Sequence, residues 1–282
     1  MSINLDIGRD YCDPEGVDPH FRLRPLPKSD WSGFPTEFIV TYKGKTLEMP
    51  VWYSHLGLLK LCKQYDFDRV LDLGSHEGLC SHVFDHIGKT TVALEPYPYT
   101  TPSISGLKIR KPDIENYYES YVFDKKFDAI WCSHVLEHVR NPGNFLDKIY
   151  DDLRADGVLA ITVPFNDFND ASITQVLLGH HNKYNHGLLL YQLVCAGFDC
   201  REASVTIYAG MITVIVKKKP NNVQRIATAL WSGPQGDTAN ESNTFDNRWC
   251  EKRIYDFFPK DFKWDGTSLD YKEAFVNWNL PI

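Results

Sequence analysis

The sequence predicts an α/β protein, a doubly wound and mostly parallel seven-stranded sheet with helices on both faces. Three observations carry that expectation. From Val70 onward, short β-rich runs that are apolar on both faces alternate with helical patterns, as buried parallel strands joined by crossover helices do. The first run, Val70-Leu-Asp72-Leu-Gly74, ends in an acid and a glycine turn, the arrangement found at the ligand-binding edge of such sheets. With 43% apolar residues among 282, the chain can bury one large core, and 24% charged residues give no signal of disorder.

The elements follow in order. Residues 1–50 are rich in Pro, Asp and aromatics and read as an N-terminal extension, in which FIVTYKGKTLEMPV forms two short strands around the Lys43-Gly44 turn. From Trp52, the positions Leu56, Leu59, Leu61 and Cys62 recur at broadly helical spacing, so a helix leads into the strand at Val70. Further strands are expected at 91–95, 106–110, 127–133 and 157–163, with helical patterns between most of them. After a helix starting near Leu188, the runs 201–208 and 211–217 flank Ala209-Gly210 and read as a closing antiparallel hairpin. Beyond Lys219 a polar stretch precedes an aromatic tail that includes Trp249, Trp264 and Trp278. So many aromatics left in water would expose a large apolar patch. The expected organisation is therefore an extension at 1–50, a main α/β domain at 51–219, and a C-terminal extension at 220–282 packed on it.

The net charge of −7 provides no global basic field for a polyphosphate backbone, which weighs against a nucleic-acid ligand. Only Lys108, Arg110, Lys111 and Lys217 to Lys219 form clusters of cations. The seven cysteines are scattered and contain no C-x-x-C pair, which fits a reducing compartment and disfavours a zinc-thiolate site. The N-terminus lacks a basic, apolar leader, and the longest apolar runs fall below the roughly 18 residues of a membrane span. A cytoplasmic protein without a membrane span is expected.

The loop after the first strand has the pattern D-x-G-x-x-x-G, from Asp72 through Gly74 to Gly78, with Glu77 inside it. A dinucleotide fold wants G-x-G-x-x-G to seat a pyrophosphate. The acid inside the loop suits instead a cofactor carrying positive charge. Here the chain resembles the class I, Rossmann-like S-adenosylmethionine (SAM) dependent methyltransferases, whose first motif reads (V/I)LD(L/I)GxGxG. The resemblance extends through Glu95 in TVALEP, through Asp113-Ile114, and most strongly through FDAIWCSHVLEHVRNPGNFLDKIYDDLRADGVLAITVP. It covers about residues 55–218 and departs at the middle glycine, where His76 stands. It implies SAM as cofactor, with Glu95 accepting from both ribose hydroxyls and Asp113 and Ile114 near the adenine. The cofactor set it implies is Asp72, Gly74, Ser75, His76, Gly78, Glu95, Asp113, Ile114 and Ser133.

Methyl transfer from a sulfonium requires alignment of the nucleophile and removal of its proton. An aliphatic hydroxyl therefore needs a base, a metal, or both. His134, Glu137 and His138 form H-x-x-E-H just past the fourth strand, and these positions share one face if the segment is helical. Two imidazoles and a carboxylate make a metal-ligand set. The element resembles the E-x-x-E-H of the methyltransferases that modify the 3′-terminal 2′-hydroxyl of small RNAs and of the ubiquinone-biosynthesis O-methyltransferases, where it binds a divalent metal. In the RNA-end group a further histidine follows the fifth strand; in this chain it falls nearest His180, with His181 the alternative. The implied metal set is His134, Glu137, His138 and His180. His134 in place of a glutamate moves the preference from magnesium toward manganese, iron, cobalt or zinc. Without metal, His134 or His181 would serve as general base, and Glu137-His138 would only hold the loop.

The expected function is SAM-dependent O-methylation of a small polyol-like acceptor, a sugar or glycan precursor, because sugar faces stack on aromatic rings and vicinal hydroxyls chelate metals. The alternatives are an RNA 2′-O-methyltransferase, whose binding would fall steeply with salt, and a non-catalytic SAM-binding protein whose loop His76 has spoiled.

Overall fold

A computed structural model describes residues 21–24, 37–50, 54–96, 109–110, 117–165, 179–208, 210–221, 256–260 and 274–278. Three N-terminal strands, β1 (Phe21–Arg24), β2 (Glu37–Tyr42) and β3 (Lys45–Pro50), form an antiparallel sheet of their own. Its hairpin turns at Lys43 (φ 48°) and Gly44 (φ 77°), the two left-handed residues of a tight two-residue connection. Val40 is fully buried, and Tyr42 and Leu47 pack beside it against the main domain.

Helix α1 (His55–Gln64) then leads into β4 (Arg69–Leu73), α2 (Leu79–His86), β5 (Thr90–Leu94), β6 (Ile109–Arg110), α3 (Tyr117–Ser120) and β7 (Phe127–Ser133). They are followed by α4 (Pro142–Asp152), β8 (Leu153–Pro164), α5 (His186–Cys195), β9 (Ser204–Tyr208), β10 (Met211–Lys217) and, from the C-terminal extension, β11 (Ala274–Val276). The main sheet has the order β11-β9-β10-β8-β7-β4-β5-β6. Strands β8 to β6 run parallel, while β10 is antiparallel to both β8 and β9. All seven expected strands are present. The eighth, β11, adds antiparallel to β9 and is a correction to the seven-stranded expectation. A three-residue run inside an aromatic tail has no periodicity that marks it as a strand.

Alternation along the strands sorts the core into two faces. Leu71, Leu73, Ile130, Cys132, Leu159 and Ile161 pack with Phe145 and Ile149 of α4 and Leu190 of α5. Val70, Ala129, Trp131, Val158 and Ala160 pack with Leu58 and Leu61 of α1 and Val83 and Phe84 of α2. Gly57 lets α1 lie directly on the sheet, because a Cβ there would come within 2.7 Å of Thr213 Cγ2. The chain leaves β4 for β5 on one side and returns to β7 on the other, so the crevice at the carboxyl ends of β4 and β7 is the switch point where such sheets bind ligands.

Two parts of the C-terminal extension join this core. Phe258 is buried on the α4 and α5 side, and Trp278 on the side of α1, where the Lys60 ammonium lies 5.1 Å from its ring centroid. Among the described residues no helix is long and apolar enough to cross a membrane.

Candidate active site

The glycine loop leaves β4 with every second residue left-handed: Gly74 at φ 77°, His76 at 50° and Gly78 at 85°. The backbone N–H groups of Gly74 and Ser75 donate to the Leu94 carbonyl at 2.9 and 3.1 Å, binding the loop to the end of β5. His76 thus takes the conformation a glycine would take there, at a cost of about 1 kcal/mol for an L residue. Histidine is among the side chains that accept this region most readily. The His76 N–H donates to Glu95 Oε2 at 2.8 Å, and its side chain is exposed. Glu95, only 5% exposed, is therefore a carboxylate held by the loop itself.

Asp72 lies beneath the loop, buried, and accepts a 2.5 Å hydrogen bond from the Ser81 hydroxyl of α2. Burial pushes its carboxyl from an ordinary 3.8 up to about 7, the Ser81 bonds opposing and the Glu95 charge adding to the rise. A folded-state value above the unfolded one means the native chain holds a proton that the unfolded chain has lost. Stability is then greatest below about pH 3.8 and falls as pH rises toward 7, by on the order of 4 kcal/mol from this group. Asp72→Asn should flatten that fall, read as unfolding free energy in urea at pH 5 and pH 7.5. An unchanged slope would show that Asp72 titrates normally.

The second cluster begins where β7 ends. Ser133, half-buried, pairs with Thr162, and the His134 N–H donates to the Thr162 carbonyl at 2.9 Å while His134 turns left-handed at φ 58°. A single 3-10 turn follows at Leu136–His138. The α-helical face expected for H-x-x-E-H is therefore absent. The reversal at His134 brings the groups together instead: His134 Nδ1 lies 3.4 Å and His138 Nε2 3.9 Å from Glu137 Oε1.

The segment after β8 closes on this turn. The Glu137 carbonyl accepts from the N–H groups of His181 (2.8 Å) and Asn182 (3.0 Å), and Asn182 Nδ2 donates to the carbonyls of Leu136 and Val139. His138 Nδ1 lies 3.1 Å from the Gly179 carbonyl. A carbonyl only accepts, so Nδ1 carries a proton, and Nε2 is the nitrogen that faces Glu137 and could ligate a cation. The His180 ring meets that of His138 edge to face, with centroids 4.8 Å apart. Burial pulls the His180 pKa below its ordinary value; the Glu137 charge opposes this, and His138 and His134 add to it, so the neutral, ligating form is favoured. One ligand atom from each of Glu137, His138 and His180 falls within 4.8 Å of the others.

Glu137 is the decisive member. It has no exposed surface, and neither carboxylate oxygen has a hydrogen-bond partner among the described residues. A buried carboxylate left in that state costs several kcal/mol. A cation held by Oε1 and the two imidazoles would remove the cost, and a donor set of one carboxylate and two imidazoles would suit manganese, iron, cobalt or zinc.

The sequence matches the family described as methyltransferase domain over residues 52–202, more than half of the chain. The chain belongs to that family. It is a SAM-dependent methyltransferase. No curated protein matches it. Among solved structures, the methyltransferase resembles a chain of the complex between the Haloferax volcanii Trm112 methyltransferase activator and a methyltransferase, at 13% identity over 60% of this chain and 89% of that one, with a TM-score of 0.50. A SAM-dependent methyltransferase from Archaeoglobus fulgidus matches at 15% identity over 58% of this chain and 93% of that one, TM-score 0.46. The Burkholderia thailandensis 1,6-didemethyltoxoflavin-N1-methyltransferase matches at 14% identity over 70% and 99%, TM-score 0.45. Likeness at these identities is a likeness of fold.

In the methyltransferase, the glycine loop and Glu95 adjoin at the end of β4 and β5, and Glu137, His138 and His180 form a second group past β7. His134 lies beside this group, at its carboxylate, but outside the three mutually close ligands. His181 contributes its backbone N–H, and its side chain is exposed. Asp113 and Ile114 lie outside the described residues. The sequence reading missed Ser81, the Asn182 clamp and the buried Tyr184; the polar run between Gly179 and His186 was the available signal for the last two.

Proposed function

We propose that the enzyme transfers the SAM methyl group to a hydroxyl of a small polyol-like acceptor, a sugar or glycan precursor, at a site where Glu137, His138 and His180 hold a divalent cation. The buried, unpartnered carboxylate of Glu137 carries this reading. In the cofactor crevice, the Glu95 carboxylate is suited to accept from ribose hydroxyls, with Asp72 beneath the loop and Gly74 and Gly78 giving the backbone its close approach. When bound, the cation supplies Lewis acidity to vicinal hydroxyls of an acceptor. His134, about one-third exposed and held beside Glu137, is the residue to take the hydroxyl proton. His138 is kept in the ligating tautomer by Gly179.

The lysine cluster gives RNA little support. Lys218 donates to the Tyr150 and Leu153 carbonyls, and Lys219 pairs with Glu202. Both are engaged within the fold rather than kept for phosphates.

The test is metal analysis of the purified chain combined with an acceptor screen. EDTA should abolish turnover, manganese or cobalt should restore it, and SAM affinity by calorimetry should not change. Turnover that survives both EDTA and His138→Ala would overturn the cation reading.

A further inference from the structure

The consecutive residues Gly179 to Asn182 all touch the turn that carries Glu137 and His138. The Gly179 carbonyl lies 3.1 Å from His138 Nδ1, and the His180 ring stands with its centroid 4.8 Å from that of His138. The N–H groups of His181 and Asn182 both donate to the Glu137 carbonyl, at 2.8 and 3.0 Å. Asn182 also donates through Nδ2 to the carbonyls of Leu136 and Val139, at 3.3 and 2.5 Å. These two carbonyls bracket Glu137 and His138 in the chain. An asparagine has one backbone N–H and a side-chain amide with two hydrogens, and here both groups are directed at one turn.

A single 3-10 turn has no following helical turn to donate to its carbonyls, so the donors come from elsewhere. The 179–182 segment supplies them, and in doing so it is locked in one register against the turn. That register has a chemical result. His180 and His181 are adjacent and carry the same imidazole, yet only His180 stands against His138 with a ligand atom within 4.8 Å of those of Glu137 and His138, while the His181 side chain is exposed. Nothing but register decides between the two. The Gly179 carbonyl and the two backbone N–H groups would be offered by almost any residue; the carboxamide of Asn182 is what this sequence adds.

We infer that Asn182 is the positioning residue of the cation site, clamping the turn through Leu136 and Val139 so that His180, and not His181, is the third ligand. The inference rests on the cation reading above and deepens it. Removal of a group that orients metal ligands costs about 10- to 100-fold in affinity. Asn182 orients two chain segments at once, so its loss should also erase the choice between the adjacent imidazoles. Aspartate at this position would keep the shape, but an ionised carboxylate only accepts and cannot bond to the two carbonyls.

The test is titration of the full chain with cobalt(II), followed by its visible absorption. With Asn182 in place, His180→Ala should weaken binding by about 100-fold and change the cobalt spectrum, whereas His181→Ala should keep the native affinity and spectrum. Asn182→Ala and Asn182→Asp should each weaken binding by about 10- to 100-fold. Combined with Asn182→Ala, the two histidine substitutions should differ by no more than about threefold, a coupling that contacting residues show and independent ones do not. A residue that only stabilised the fold would lower affinity in every variant alike and leave the preference for His180 intact. That result, or native affinity in Asn182→Ala, would overturn the positioning role and leave the cation reading standing. A loss in His181→Ala as large as in His180→Ala would overturn it without any change at Asn182. Amide exchange of the native chain needs no variant: saturating zinc should slow the His181 and Asn182 N–H groups, because the cation and the clamp join the same two segments, and unchanged exchange would overturn the inference. No cobalt binding by the native chain would overturn the cation reading itself, and this inference with it.

Discussion

Glu137→Gln is expected to lower methyl transfer by about 100-fold or more while making the metal-free chain more stable. The two effects share one cause. Glu137 is sealed from solvent, and neither of its oxygens has a hydrogen-bond partner among the described residues, so a carboxylate there is poorly compensated when no cation is bound. Glutamine keeps the shape and removes the charge, and relief of even part of the burial cost is worth about 1 to 3 kcal/mol. The same change deletes the only anionic ligand among the three mutually close groups. Melting in the presence of a chelator measures the first effect, and turnover with added manganese the second. A variant that melts lower and still turns over would make Glu137 a structural residue of the turn.

Glu95→Ala should weaken SAM binding by about 30- to 100-fold, the equivalent of about 2 to 3 kcal/mol. Two losses add. Hydrogen bonds from ribose hydroxyls to a carboxylate are of the stronger, charge-assisted kind. The His76 N–H also loses the acceptor that holds the loop's left-handed residue in place. Calorimetry with SAM and S-adenosylhomocysteine is the measurement, and His138→Ala is the control expected to bind both normally. Undiminished affinity in Glu95→Ala would mean that the cofactor does not use this crevice.

The parallel strands were legible because each is apolar on both faces and bounded by turn residues, and the loop because Asp72, Gly74 and Gly78 sit at fixed spacing behind a strand. Spacing also brought His134, Glu137 and His138 to notice, but for a reason the structure revises. Helical geometry was assumed, whereas the groups converge through a reversed residue and one 3-10 turn. Period arguments see only repeating backbone, and a single positive φ has no period. The role of Asn182 was illegible for a different cause. It acts across 46 residues of sequence, to the Leu136 carbonyl, and a single sequence carries no record of such a pairing. His76 shows the opposite case: the loss of a glycine suggested a spoiled loop, but histidine holds the same backbone conformation and ties it to Glu95.

The β9–β11 pairing has a consequence for synthesis. Ser204 and Asn277, which close this pairing through a 2.8 Å hydrogen bond, are 73 residues apart. At ~5–20 residues per second, the ribosome delivers β9 several seconds before the strand that covers it. Through that interval the nascent chain presents an open row of backbone donors and acceptors at the rim of an otherwise assembled sheet. Such a rim invites pairing with a neighbouring nascent chain, so yield on expression should depend on crowding along the message more than on the strength of the finished core.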